Sequence, residues 1–283
     1  MRVAAVQMRS SLTPEENISV LERLVREAAK QGATYIQTPE MTGAMQRDRL
    51  MFTENLRNQK DDLIVAAAAR LAQELRVTLH IGSTAILRDD GTIANRALVF
   101  APDGALLATY DKIHMFDVDL PNGESWRESS TYTAGTEAVM VDVGVAKLGL
   151  AVCYDLRFAE LFRTYATHGT NILTLPAAFT QQTGEAHWHV LLRARAIETG
   201  SFVVAAAQGG THADGRQTYG HSLIIDPWGK ILAEKNDNEP GMIFADLDLA
   251  QVAATRARIP NLKNRHDIVL RQVTKPPTPR SFE

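Results

Sequence analysis

Cysteine is the scarcest chemically useful residue in this chain: Cys153 is the only one among 283 residues. A lone thiol excludes an intrachain disulfide framework and any zinc site built from several cysteines, and it fits a reducing, cytoplasmic setting. Long apolar runs are also lacking. The longest, around residues 63–69 and 202–207, stop well short of the roughly 18 residues that a membrane helix needs. The opening M-R-V-A-A-V-Q-M-R-S has too short an apolar part for a secretory leader. Neither sign of charge dominates. A formal net charge of −3, with acids and bases interspersed, leaves no electrostatic footprint for nucleic acid or an anionic membrane. Gly82 and Gly209-Gly210 form no phosphate-binding fingerprint. What is present is a 45% hydrophobic chain, enough for a substantial core in one large domain or two modest ones.

Stretches of period two and period 3.6 share the length. Residues 2–8 read as a strand. Thr13-Pro14-Glu15-Glu16 reads as a helix start, with Thr13 as N-cap and Glu16 closing a capping box. Ile18, Leu21, Val25 and Ala28 mark its buried face, and Gly32 its end. A strand at 35–38 is cut by Pro39. A second helix is expected from Asp61 or Asp62 to about Arg76, with Leu63, Ala67, Leu71 and Leu75 inward. Residues 77–85, 93–101 and 105–113 are strand-like, joined by turns at Asp89-Asp90-Gly91 and Pro102-Asp103-Gly104. Residues 115–135 show little periodicity, and a long structureless loop in a compact domain is usually functional. A hairpin turning near Gly144 follows, then a strand at 171–175, a helix at 187–199 and a strand at 202–207. Residues 219–225 and 230–233 read as a hairpin about Pro227-Trp228-Gly229, 242–247 as the last strand and 250–257 as a short helix. The tail from Pro260, with Pro276, Pro277 and Pro279, is expected to pack on the surface or on a neighbour. The segment A-P-D-G-A-L-L-A at 101–108 echoes D-P-W-G-K-I-L-A at 226–233, which implies two similar sheets. Packed face to face with helices outside, they would cover every apolar face.

Cys153 falls where the period changes. The apolar run 148–152 ends at it, and Phe158, Leu161, Phe162 and Tyr165 then recur at helical steps. A thiol at such a strand–helix joint would meet unpaired N–H groups and the positive end of the helix, which favour a thiolate and an oxyanion. Taken alone, a single cysteine reads equally as a small buried hydrophobe. Two further stretches end a strand and then place a polar residue: Thr38-Pro39-Glu40 and Tyr110-Asp111-Lys112-Ile113-His114. If the three ends meet on one sheet edge, the chemistry is coherent. Cys153 attacks a carbonyl-like carbon, Glu40 takes the thiol proton if burial raises its carboxyl towards neutrality, and Lys112 with the Tyr154 N–H holds the oxyanion. The ordinary alternatives are a helix-start acid for Glu40 and a solvated Asp111–Lys112 pair. No metal site is expected, because His187 and His189 point to different helix faces and Glu185 with His189 is too few ligands. His168 reads as a helix C-terminal cap. Arg157 offers a fork for a substrate carboxylate, or a partner for Asp155 or Glu40.

T-P-E at 38–40, Y-D-K-I-H-M-F-D at 110–117 and G-L-A-V-C-Y-D-L-R-F at 149–158 resemble the three signature blocks of the nitrilase superfamily of carbon–nitrogen hydrolases. The likeness runs from Arg2 to about Asp267, which divides the chain into a hydrolase domain at 1–267 and a tail at 268–283. The resemblance implies a four-layer α-β-β-α sandwich of the α/β class, pairing through its outer helices into a homodimer or larger assembly. It implies a Glu–Lys–Cys triad at Glu40, Lys112 and Cys153, a second glutamate at Glu128 and no cofactor. P-A-A-F at 176–179, T-G-E-A-H-W at 183–188, L-L-R-A-R-A-I-E at 191–198 and Y-G-H-S at 219–222 are similar to the Nit branch. There the likeness points to substrate contacts from Arg157, Phe179 and Thr183, and to a small amide substrate. The activity implied is hydrolysis of the terminal amide of the 2-oxoglutaramate moiety of deaminated glutathione, releasing ammonia through a thioester. The sister activity is that of ω-amidases on 2-oxoglutaramate and 2-oxosuccinamate; N-carbamoyl amines and nitriles are further family substrates. His189 stands where a glutamate is common in this branch, which leaves substrate detail open.

Overall fold

Alternation along the first strand already separates two cores. In the computed structural model, which describes residues 1–120 and 123–273, the chain opens with β1 (Arg2–Gln7). Ala4 and Val6 turn to the core beneath α1 (Pro14–Lys30), while Val3 and Ala5 turn to the core shared with a second sheet. The Thr13 hydroxyl accepts the Glu16 N–H at 3.4 Å, half of the expected box. β2 (Tyr35–Gln37), α2 (Arg49–Asn55), β3 (Arg57–Asn58), α3 (Leu63–Leu75), β4 (Thr78–Leu87), β5 (Ile93–Phe100) and β6 (Leu106–Asp111) follow. Asp62 caps α3 by accepting the Val65 N–H, and Arg76 ends it in the left-handed region. The inward face of α3 is Ile64, Ala67, Ala68, Leu71 and Ala72; Leu63, expected inside, is exposed at the first helical position.

Residues 115–135 are more ordered than their lack of periodicity implies. β7 (Asp117–Asp119) and β8 (Ser125–Arg127) pair antiparallel, and a 3-10 turn at Glu128–Ser130 follows. The strands are too short for alternation to register. Then come β9 (Met140–Asp142), β10 (Lys147–Leu150), a second 3-10 turn at Cys153–Arg157, α4 (Ala159–Thr167), β11 (Ile172–Thr174) and α5 (Gln181–Thr199). β12 (Phe202–Ala205), β13 (Gly209–Thr211), β14 (Gln217–Tyr219), β15 (Leu223–Ile225), β16 (Ile231–Glu234), β17 (Gly241–Asp246) and α6 (Ala250–Arg258) complete the described elements. Two boundaries differ from expectation. α5 begins at Gln181 because the Thr180 side chain caps it by accepting the Thr183 N–H. Tyr219 belongs to the small β13–β14 sheet, and the break before β15 carries Gly220 and His221, both at positive φ.

The first sheet has the order β17-β1-β2-β4-β5-β6, with β3 beside β4; the second runs β16-β15-β12-β11-β10-β9. Parallel strands lie at the centre of each and antiparallel strands at the edges. The two echoing segments are indeed the β5–β6 and β15–β16 turns, and both hairpins carry a register shift just before the turn. α1 and α3 cover the first sheet; α4 and α5 cover the second, where Phe162, Tyr165, Trp188 and Leu192 share one core with the inter-sheet residues. The result is an α-β-β-α sandwich. Gln37 Nε2 donates to Val204 O at 3.1 Å across the layers, and Gln7 Oε1 accepts from the Ser222 N–H and hydroxyl. Among the described residues no helix is long and apolar enough to cross a membrane. Residues 268–270 of the tail, Ile268, Val269 and Leu270, are almost fully exposed. Pro121 and Asn122 of the 115–135 loop, and Pro276, Pro277 and Pro279 of the tail, lie outside the described residues.

Candidate active site

Glu40, Lys112 and Cys153 each follow the end of a strand, but the ends belong to two sheets. Glu40 comes after β2 and Lys112 after β6 of the first sheet; Cys153 comes after β10 of the second. The expectation of a single sheet edge is thereby corrected: the site forms where two facing sheets end together. Gly82 permits that approach. A Cβ there would lie 2.1 Å from Thr38 O and 2.2 Å from the Pro176 side chain, so β4 passes in contact with both strand ends at once. Cys153 donates its N–H to Pro176 O at 2.9 Å and holds φ at +51°, a strained value for a residue other than glycine.

All three side chains are buried, and Lys112 is hydrogen-bonded to Glu40. Lys112 Nζ donates to Glu40 Oε1 at 3.0 Å and to the two oxygens of Glu128 at 2.9 and 2.8 Å. Asn95 Nδ2 bridges the same two carboxylates at 2.9 and 3.1 Å. The Ala178 N–H donates to Glu40 Oε2 at 2.9 Å, and the Phe116 N–H to Glu128 Oε2 at 2.7 Å. The Cys153 thiol sits beside the Glu40 carboxylate, close enough for that charge to act on it. Glu40 lies in a turn rather than at a helix start, and Asp111 pairs with Arg88 and Arg96 instead of Lys112. Both ordinary alternatives are therefore excluded.

Protonation differs from the sequence expectation. Burial pushes the Glu40 carboxyl up, but the Lys112 charge and bonds from Cys153, Lys112 and Asn95 outweigh it and leave Glu40 below the usual glutamate range. Burial and the neighbouring Glu40 charge push the Cys153 thiol well up, against the opposing pull of Lys112 and the Ala178 N–H. Lys112 resists its own burial through Glu128, Glu40 and Cys153, and is held well above its usual value. The resting site is a thiol, a carboxylate and an ammonium. The joint does not favour a thiolate, because burial and the Glu40 charge outweigh Lys112 and the Ala178 N–H; Cys153–Arg157 is a 3-10 turn, and α4 begins only at Ala159.

Asp155 anchors that turn. Its Oδ2 accepts from the Tyr110 hydroxyl at 2.7 Å and the Val152 N–H at 2.8 Å; its Oδ1 accepts from the His114 N–H at 3.1 Å and lies 2.7 Å from His114 Nδ1. Tyr110 and His114 flank Lys112, so one buried carboxylate fixes the Cys153 turn against the Lys112 segment. The Tyr154 N–H has no acceptor among the described residues and stays available beside Cys153.

The three groups line a cleft of about 670 Å³. Glu128, Tyr154, Phe179 and Thr183 line it too, as the sequence leads one to expect. Arg157 does not line it. Its guanidinium lies 3.3 Å from His187 Nδ1 and over the Tyr154 and Phe179 rings, and it pairs with neither Asp155 nor Glu40. Sequence reasoning missed Asn95 and the Ala178 and Phe116 amides, which carry no motif because their contribution is positional. Asp155, which the sequence offers only as a partner for Arg157, binds Tyr110, Val152 and His114 instead. His168 does cap its helix, Nδ1 lying 2.8 Å from Thr164 O. Away from the cleft, His189, His221 and Glu234 bring three possible metal-ligand atoms together. Glu234 Oε1 lies 2.9 Å from His189 Nε2 and 3.2 Å from His221 Nδ1, a hydrogen-bonded network in its own right.

An α-β-β-α sandwich with glutamate, lysine and cysteine at the shared end of its sheets is the arrangement of the nitrilase superfamily. The chain belongs to the carbon–nitrogen hydrolase family, whose model matches residues 2–257. It is 38% identical over 93% of its length to the deaminated glutathione amidase of Synechocystis, covering 97% of that protein. It is 35% identical to omega-amidase NIT2 of Mus musculus, over 97% of this chain and 99% of the other. The crystal structure of the C. elegans NitFhit protein superposes with a TM-score of 0.87 at 33% identity, over 93% of this chain. This chain spans 64% of the NitFhit chain. As a member of this family the protein is a hydrolase of carbon–nitrogen bonds outside peptide linkages.

Proposed function

We propose that this chain is an amidase acting on deaminated glutathione through a thioester on Cys153. The observation that carries the chemistry is the buried contact set of Glu40, Lys112 and Cys153 on the cleft. Similarity to the Synechocystis amidase supports the substrate. Glu40 removes the thiol proton as the sulfur attacks the amide carbonyl, and the Lys112 ammonium and Tyr154 N–H receive the oxyanion. Protonated Glu40 then passes its proton to the departing amine. Water enters, gives a proton to Glu40 and attacks the thioester, and Cys153 leaves with that proton. The Ala178 N–H keeps Glu40 oriented in both halves, while Glu128 and Asn95 orient Lys112. The amine released follows from the substrate. A primary amide such as 2-oxoglutaramate gives ammonia. In deaminated glutathione the amide joins the 2-oxo acid to cysteinylglycine, so the dipeptide leaves.

The ω-amidase reading keeps the same machinery and rests on the similarity to the mouse enzyme. Rapid quench followed by intact mass and peptide mapping tests the mechanism. A 2-oxoglutaryl adduct on Cys153 is expected from either substrate; an adduct on another residue, or none during turnover, removes the thioester. A panel of deaminated glutathione, 2-oxoglutaramate and N-carbamoyl compounds ranks the substrates by kcat/KM.

We further infer that the chain associates through the α5 side. Val190 and Ile197 on that helix and Trp228 beside Ile197 are large apolar side chains at least half exposed. The division into a domain at 1–267 and a tail at 268–283 fits a tail whose apolar residues are covered by a second copy.

A further inference from the structure

The cleft has a cationic wall that the proposed chemistry leaves unused. Arg216, from the segment entering β14, lines it together with Arg47 and with Trp126 of β8. Both guanidiniums lie over the Trp126 ring, at 4.6 Å for Arg47 and 4.8 Å for Arg216. They share a single carboxylate, Asp214, whose Oδ2 is 3.9 Å from Arg47 Nε and 3.7 Å from Arg216 Nη2. Those separations are too long for hydrogen bonds, and Asp214 Oδ2 is itself buried without a partner. Among the described residues Arg216 Nε is likewise buried and unpartnered, and its Nη1 lies 3.0 Å from the Met45 sulfur, a weak acceptor. Two guanidiniums face this one carboxylate, and the Arg216 side chain, 19% exposed, reaches the cleft surface. A carboxylate suits this wall because a guanidinium presents paired donors in one plane.

Arg216 lines the same cleft as Glu40, Lys112 and Cys153. The wall ends at Arg47, whose side chain is 49% exposed at the rim. Arg157 is turned away towards His187.

We propose that Arg216, assisted by Arg47, binds a carboxylate carried on the amine side of the scissile amide, the part of the substrate that leaves. The proposal rests on the deaminated glutathione reading, since the cysteinylglycine portion ends in a carboxylate and 2-oxoglutaramate has nothing there. Arg216 is accordingly a specificity residue that takes no part in proton transfer.

The test compares deaminated glutathione with the same molecule bearing a C-terminal amide on glycine, on the full chain and its R216Q and R216K variants. In the unaltered chain the free carboxylate is expected to raise kcat/KM by about 10- to 100-fold, the range of a charge-assisted bond, mainly through KM. R216Q should bring the two substrates level, and R216K should keep part of the preference. Each preference is a ratio within one protein, so a loss of folded fraction cancels. Equal losses on both substrates in R216Q, or no preference in the unaltered chain, overturn the subsite while leaving the amidase reading intact. If neither tailed substrate turns over while 2-oxoglutaramate does, the deaminated glutathione reading fails and takes the subsite with it.

Discussion

With Lys112 held between Glu40 and Glu128, the resting proton belongs to the Cys153 sulfur, and catalysis must move it rather than find it gone. The pH dependence follows. Glu40 is depressed, so it remains a base until the pH falls through a value below the ordinary glutamate range. Cys153 is raised, so no gain should occur near the ordinary thiol value of about 8.5. We expect kcat/KM to be flat from about pH 6 to about pH 9, as measured by a buffered pH–rate series; a rise with a midpoint near the ordinary thiol value would replace this picture with a free thiolate. E40Q should lower kcat/KM by about 10³-fold and slow alkylation of Cys153 by iodoacetamide, since the amide cannot take the proton. Unchanged alkylation in E40Q would rule out Glu40 as the thiol's base. The same groups affect stability with opposite signs. The Glu40 contribution is present above its unfolded-state value and lost as pH falls through the folded one; that of Lys112 is present below its unfolded-state value and lost as pH rises through the folded one.

Among the elements, the 3-10 turn at Cys153–Arg157 carries the most consequence, because it has no side-chain cap of its own beyond the Asp155 carboxylate. That carboxylate joins the turn to Tyr110 and His114 on either side of Lys112. D155A leaves a buried hydroxyl and two backbone N–H groups short of an acceptor, which costs on the order of 3 kcal/mol. A lowered urea midpoint together with a fall in kcat is expected. An unchanged midpoint would mean that the turn is held by packing alone. The strand order and the Cys153 joint were readable because these strands are apolar and bounded by Gly, Pro or Asp. α2 and the β7–β8 hairpin were not, since α2 buries none of its residues and the hairpin strands span three residues each.

For the whole molecule, α5 shows why association is expected. Its inward residues Trp188, Leu192 and Ala196 belong to the core, yet Val190 and Ile197 look outward. V190E with I197E should convert a larger species to monomer in size-exclusion chromatography with light scattering, without loss of the helical circular dichroism signal. A native chain that is already monomeric at micromolar concentration would remove the proposed interface.

The sequence by itself determined most of the strand-and-helix order, pointed to two facing sheets and marked Glu40, Lys112 and Cys153 as the candidate residues. Each of these depends on local periodicity or on a polar residue placed at a strand end, and Cys153 could be singled out because no other thiol competes with it. The protonation of those residues was decided by tertiary structure alone. The Glu40 value depends on Lys112, Asn95 and Cys153, which meet only when two sheets end together at the close approach allowed by Gly82. The orientation of Arg157 and the placing of Arg216 on the cleft were decided there too, because a side chain's direction depends on what packs around it and leaves no trace in spacing along the chain.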